Sequence, residues 1–189
     1  MIQNLEILLA SQSPRRAEIL KNSGCVFKVI EMHCDESYNP ALPIHKIAKY
    51  IACKKMLSCD IELQSNQVLI TADTIVVLDG VVFGKPTSTK QAKEMLHKLS
   101  NNKHEVMTGV CIRTKNKKMA FTCKSTVYFT VLNEDIINFY IHNFNVMDKA
   151  GAYGIQEGIG LYAVKKIKGC YFNIMGLPMN KILQKLDKI

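Results

Sequence analysis

Two short apolar runs limit what this chain can fold into. Residues 5–10 read LEILLA and residues 68–72 read VLITA, with 75–78 (IVVL) continuing the second run after Asp73-Thr74. Both fall well short of the roughly 18 apolar residues that a membrane span needs, and turn residues bound them, so buried strands are expected. The first run enters Ser11-Gln12-Ser13-Pro14. Ser13 can cap a helix whose first position is Pro14, where the missing N–H costs nothing. Ile19 and Leu20 then face inward, and Gly24 suits the C-terminal stop. Strand, turn and helix form the opening unit.

The same logic extends along the chain. A strand is expected near 26–31, then a loop through Asp35-Glu36-Ser37. A helix over 44–58 carries Ile44, Ile47, Ala48, Ile51, Ala52 and Met56 on one face and lysines on the other. Asp79-Gly80 is a hairpin signal. Further expectations are a helix over 88–99 capped by Ser88, strands at 105–114 and 119–131, and a helix over 133–143. After a Gly-rich stretch at 151–160 come a strand near 161–166 and a helix from about 178. With no repeat or linker, residues 1–189 read as one α/β unit with mixed strand directions, bilobed at most.

The formal charge of +9 predicts a field that draws anions: nucleic acid, an acidic membrane surface or small polyphosphates. Seven cysteines carry no CxxC pair and no zinc spacing, and the N-terminus lacks a signal-peptide pattern. Reduced thiols in a cytoplasmic protein are the expectation.

Several residues could carry chemistry. Ser13-Pro14-Arg15-Arg16 sets two guanidiniums beside helix N–H groups, an arrangement that can bind phosphate. The competing reading is solvated charge on a first turn, and cations there are unfavourable against the dipole. Asp73 follows an apolar strand, at the end where α/β folds gather ligands, or else caps a turn. Glu36, in Cys34-Asp35-Glu36-Ser37, could share a divalent cation with Asp73 and substrate phosphates, as Mg²⁺ is usually held, or belong to a polar loop. Lys85 stands between Gly84 and Pro86 on a stiff loop, although no Walker A pattern is present. Lys54 and Lys55 diverge by about 100° of helical rotation, so only one can face a site. The amide of Gln156, in a Gly-rich stretch, can read a pyrimidine edge or be a buried connector group. The five histidines show no metal or catalytic spacing.

Taken together and in order, the blocks LLASQSPRRAEIL (8–20), CDES (34–37), TADTIVVLDGVVFGKP (71–86), HEVMTGV (104–110), DKAGAYGIQ (148–156) and GLP (176–178) resemble the Maf family of nucleoside triphosphate pyrophosphatases across essentially the whole chain. The resemblance implies a twisted mixed sheet split into two lobes with flanking helices and a central cleft, as in inosine triphosphatase. It implies hydrolysis of a nucleoside triphosphate to monophosphate and pyrophosphate with Mg²⁺ or Mn²⁺, and a homodimer. By the same resemblance Asp73 is the proton acceptor. Arg15, Thr74 and Gln156 help select the nucleotide, and Glu36, Lys55 and Lys85 match further polar positions, Lys55 being preferred to Lys54. Ser13 and Arg16 complete the triphosphate-binding turn, and Glu36 with Asp73 would hold the metal.

The YGIQ block is similar to that of the branch acting on dTTP and UTP, whereas a branch preferring methylated guanosine triphosphate has a Glu-containing block there. One departure is Glu157, where the family usually has glycine. It could alter base preference or face solvent. Two other readings compete: a nucleic-acid-binding module, against which the dispersed lysines and lack of an aromatic platform argue, and a catalytically weak regulator of cell division on the same scaffold. No stable nucleic-acid or membrane partner is expected.

Overall fold

In a computed structural model, residues 5–187 are described; residues 1–4, the beginning of the segment read for a leader, lie outside them. The strands are β1 (Glu6–Ala10), β2 (Phe27–Ile30), β3 (Gln67–Leu78), β4 (Val81–Phe83), β5 (Lys103–Arg113), β6 (Lys118–Phe129) and β7 (Val164–Lys168). The helices are α1 (Pro14–Asn22), α2 (Ile44–Leu57), α3 (Thr89–Leu99), α4 (Glu134–Asn143), α5 (Gly158–Ala163), α6 (Tyr171–Met175) and α7 (Met179–Leu186), with a 3₁₀ turn at Ala150–Ala152. The strands form one mixed sheet in the order β2-β1-β3-β5-β6-β7, with β4 pairing β3. β1 runs parallel to both β2 and β3, while β4 is antiparallel to β3 and β7 to β6. The expected mixed sheet with flanking helices is therefore present. No described helix is long and apolar enough to cross a membrane.

Contacts divide the chain into two compact units. The first takes residues up to Asp73, Thr108–Cys123 and those from Gly176 onward; the second takes Thr74–Met107 and Lys124–Met175.

In the first unit the apolar runs behave as their composition demands. Ile7, Leu8, Leu9 and Ala10 are buried, as are Val68, Leu69 and Ile70 of β3. α2 lies against this sheet through Ile47, Ala48, Ile51, Ala52 and Met56. Its approach is close because Gly109 of β5 has no side chain: a Cβ there would sit 2.2 Å from the backbone of Ala48 and Lys49. On β3, the Thr71 hydroxyl donates to the Ala52 carbonyl at 2.6 Å. Packing and one hydrogen bond thus fix both the height and the register of the helix.

In the second unit Asp79 and Gly80 both adopt positive φ (48° and 77°), giving the tight hairpin expected between β3 and β4. Ser88 caps α3 by accepting from the Gln91 N–H, and Asn133 caps α4 in the same way from Ile136. A buried aromatic group joins the sheet to the Gly-rich stretch. His104, Phe129 and Tyr153 meet edge-on with centroids 4.9–5.4 Å apart, and the His104 Nε2 and Tyr153 hydroxyl are 2.7 Å apart. Burial pushes the His104 pKa down to about 4 and the Tyr153 phenol well up.

Four expectations need correction. β3 does not end at Asp73 but continues to Leu78, so Asp73 is a mid-strand residue that caps nothing. Ser13 occupies the N-cap position of α1 without a side-chain cap; its own N–H donates to the Ser11 hydroxyl at 3.2 Å. The lysines of α2 do not all share the outer face, because Lys55 is buried. Residues 158–163 form α5, and β7 starts only at Val164. Ile159 and Ala163 are fully buried there, and that packing overrides the weak helix propensity of a glycine-containing segment.

Two outcomes test this account. Gly109→Ala should destabilise by about 3 kcal/mol or more in urea unfolding, because backbone cannot yield as a side chain does; a loss below about 1 kcal/mol would mean that α2 can ride outward. For His104, the folded pKa of about 4 lies below the ordinary 6.5. Its stabilising contribution is complete above pH 6.5 and is lost as the pH falls toward 4, by about 3 kcal/mol in all. Thermal unfolding across that window should fall more steeply for the wild type than for His104→Gln, and parallel curves would refute the assignment.

Candidate active site

The first unit assembles a cluster of charges around one buried ammonium. Lys55 and Asp73 are buried, and their Nζ and Oδ1 are 2.7 Å apart. The same Nζ lies 2.8 Å from Oε1 of Glu36. One turn of α2 beyond the Ala52–Thr71 bond therefore delivers a cation to Asp73, since Thr71 and Asp73 share a face of β3. Lys54, the alternative, points elsewhere. Its ammonium holds the Asp35 carboxylate at 2.8 Å and the Ser37 carbonyl at 3.0 Å. The Asp35–Lys54 hydrogen bond draws the carboxyl well below its usual range and raises the lysine.

The turn before α1 splits its two arginines. Arg16 is buried; its Nε donates to the Gly176 carbonyl at 2.8 Å and a terminal nitrogen to the Ser11 hydroxyl at 3.0 Å. Burial lowers its pKa, while the negative charges of Asp73 and Glu36 oppose that shift and the Arg15 cation adds to it. Arg15, Arg16, Glu36, Lys55 and Asp73 thus share one electrostatic neighbourhood, with Arg15 only partly buried. The GLP block has a plain role here: its glycine carbonyl anchors Arg16.

The second unit holds the remaining expected residues. Thr74 follows Asp73 on β3 and projects from the opposite face. Lys85 is exposed on the loop after β4. That loop is tied to the Gly-rich stretch, because the Gly151 N–H donates to the Gly84 carbonyl at 3.0 Å. Gly151 itself has φ 69°, and a Cβ on it would press Val76 at 3.1 Å. Gln156 is partly buried, and its Oε1 is a buried acceptor without a hydrogen-bond partner.

Sequence reasoning missed three participants. Lys149 is buried, and its ammonium pairs with Glu157 at 2.9 Å, with Asp148 at 3.2 Å and with the Asn145 carbonyl. The Tyr140 hydroxyl donates to the other Glu157 oxygen at 2.5 Å and accepts from the Gly154 N–H at 2.9 Å. Ser11 supports Arg16, as above. A lysine inside a Gly/Ala-rich block was the available signal for Lys149; nothing in the sequence pointed to Tyr140. Glu157 does not face solvent, contrary to one reading of that departure.

No cluster of three or more His, Cys, Asp or Glu side chains suited to a metal occurs among the described residues. The Glu36–Asp73 pair nonetheless converges on one cationic nitrogen, which is the donor set a divalent ion takes when substrate oxygens supply its other ligands.

Comparison with known proteins agrees with the sequence resemblance. The profile described as Maf-like protein matches residues 6–189. The chain is 44% identical over 193 residues to a dTTP/UTP pyrophosphatase of Phocaeicola vulgatus and 45% identical over 193 residues to one of Bacteroides thetaiotaomicron, each alignment covering 100% of both proteins. The structure of the Staphylococcus aureus Ham1 protein has the same fold, with a TM-score of 0.54 over 97% of this chain and 98% of that one at 13% identity.

The shared ammonium makes a clear demand on stability. Lys55→Met should cost about 3 kcal/mol, because it removes the cation paired directly with the buried Asp73 carboxylate, which then faces that of Glu36. Chemical denaturation measures this, and a loss under about 1 kcal/mol would mean that the pair is effectively solvated.

Proposed function

Because this chain belongs to the Maf family, we propose that it hydrolyses dTTP and UTP between the α- and β-phosphates, releasing the monophosphate and pyrophosphate. The observation that carries this reading is the buried carboxylate of Asp73, held beside the arginine turn by the Lys55 ammonium that it shares with Glu36. The relatives named dTTP/UTP pyrophosphatases support the substrate class.

The chemical difficulty is negative charge. Water must reach a phosphorus screened by anionic oxygens, so cations that neutralise those oxygens lower the barrier. Arg15 is suited to clamp phosphate oxygens, with its fork set at the α1 N-terminus. Arg16 keeps that turn in place through Gly176 and Ser11, and Ser13 contributes its backbone to the same turn. Lys55 fixes Oδ1 of Asp73, leaving Oδ2 as the oxygen that orients a water and takes its proton. Lys85 supplies counter-charge to the phosphates, Thr74 helps to select the nucleotide, and the Gln156 amide reads the uracil or thymine edge. Glu36 and Asp73 would hold Mg²⁺ or Mn²⁺ together with substrate oxygens. Such an ion supplies charge neutralisation on the phosphates. We read the chain as cytoplasmic, a reading that its seven free thiols support, and as a homodimer on the strength of the family resemblance.

Pyrophosphate release from a panel of nucleoside triphosphates with Mg²⁺ or Mn²⁺ tests the activity. Release from dTTP and UTP ahead of the others is expected, and release from none would reduce the protein to a nucleotide binder. Asp73→Asn should lower turnover by about 10²- to 10⁴-fold while nucleotide still binds by calorimetry; full turnover in that variant would remove Asp73 as the base.

A further inference from the structure

Gln156 can read a pyrimidine in two ways, and they are opposite. With its carbonyl oxygen forward it accepts from the N3–H of uracil or thymine, and its NH₂ donates to O4. Rotated by half a turn, it presents NH₂ to the N3 acceptor of cytosine and oxygen to the cytosine amino group. A free amide would therefore discriminate poorly. Something must hold it.

The surroundings of Gln156 are asymmetric in the required sense. Its Nε2 lies 3.5 Å from Oε1 of Glu157, a carboxylate that can only accept, while its own Oε1 is buried without a partner. A buried unpartnered acceptor is costly unless a ligand donor meets it. Glu157 is itself immobilised: Oε1 pairs with the Lys149 ammonium at 2.9 Å, and Oε2 accepts from the Tyr140 hydroxyl at 2.5 Å. Lys149 is 3% exposed and Tyr140 fully buried. Gly154 makes the convergence possible, because a Cβ there would lie 3.0 Å from Gln156 Nε2, Glu157 Cδ and Lys149 Cε alike. The Gly154 N–H also donates to the Tyr140 hydroxyl, so backbone and carboxylate are held by one phenol.

We infer that Glu157 is the positioning residue that locks the Gln156 amide with its oxygen forward, so that the protein accepts an imide base and rejects cytosine. The inference rests on the proposed role of Gln156 as base reader. Glu157 acts through Gln156 and does not itself touch the nucleotide. Lys149 and Tyr140 hold Glu157, and Gly154 leaves room for all three.

The test is the ratio of kcat/KM for UTP to that for CTP, measured by pyrophosphate release on the full chain. The wild type should prefer UTP. Glu157→Ala frees the amide to rotate and should lower the ratio by about tenfold, the worth of one orienting hydrogen bond. Glu157→Gln keeps an acceptor beside Gln156 and should retain most of the preference, even though it loses the charge that pairs with Lys149. A purely structural role predicts that both variants lose kcat/KM for UTP and CTP equally, and an unchanged ratio in Glu157→Ala overturns the inference while leaving the pyrophosphatase reading intact. A wild type that turns over UTP and CTP equally, or neither, overturns the reading of Gln156 and this inference with it. Should Glu157→Ala fail to fold, Tyr140→Phe removes the hydroxyl that holds Oε2 and accepts from the Gly154 N–H; the ratio should fall by a few-fold, and an unchanged value there overturns the inference equally.

Discussion

The close approach of α2 to β5 at Gly109 is the constraint from which the charge arrangement of the first unit follows. Side chains at a packing interface hold a helix and a sheet apart, and a Cβ at Gly109 would do so here. With no Cβ at Gly109 and small residues Ala48 and Ala52 on the helix face, the backbone drops onto the sheet. Thr71 then clips the Ala52 carbonyl. Two residues along β3 advance the strand by about 6.6 Å and one helical turn advances α2 by about 5.4 Å, so the steps nearly match. The step after Thr71–Ala52 is Asp73–Lys55. A polar group in an apolar sheet is thereby given a partner, and the partner is set by packing that involves no charge at all.

This explains what could and could not be read from the sequence. The apolar runs identify β1 and β3, the Asp79-Gly80 pair identifies the hairpin, and Ser88 identifies the start of α3, because each depends on local chemistry. Asp73 is different. A carboxylate between VLITA and IVVL looks like a strand end, since a buried charge inside a strand is costly. Only a partner 18 residues away makes the longer strand possible, and neither spacing nor propensity names that partner. The choice between Lys54 and Lys55 came from family likeness, and the structure separates them by what each meets: exposed Asp35 for Lys54, and for Lys55 the buried Asp73 together with the half-exposed Glu36. α5 and α6 escaped notice for a related reason, being one- to two-turn helices that owe their existence to packing.

The arginine turn is sharpened in the same way. Two adjacent guanidiniums at a helix N-terminus oppose the dipole, so either reading of the sequence left an energetic debt. Arg16 escapes it by leaving the solvent: Gly176 and Ser11 take its donors, and Asp73 and Glu36 lie near enough to offset its burial. It thus becomes part of the frame, while Arg15 is only partly buried. The likeness to the Ham1 protein at 13% identity carries the fold alone; the division of labour within the turn comes from these contacts.

Each unit also buries an ion pair, Lys55 with Asp73 in the first and Lys149 with Glu157 in the second. Buried pairs contribute little net stability, because desolvation consumes most of their attraction, and apolar residues of similar size would often serve a fold as well. Their persistence in both units is better explained by what each holds still. Lys55 fixes one oxygen of the Asp73 carboxylate. Lys149 fixes a carboxylate that in turn borders an amide. In both cases a lysine holds an acid in a fixed orientation. Preorganisation of that kind lowers the cost of ordering polar groups when an anionic or hydrogen-bonding ligand arrives.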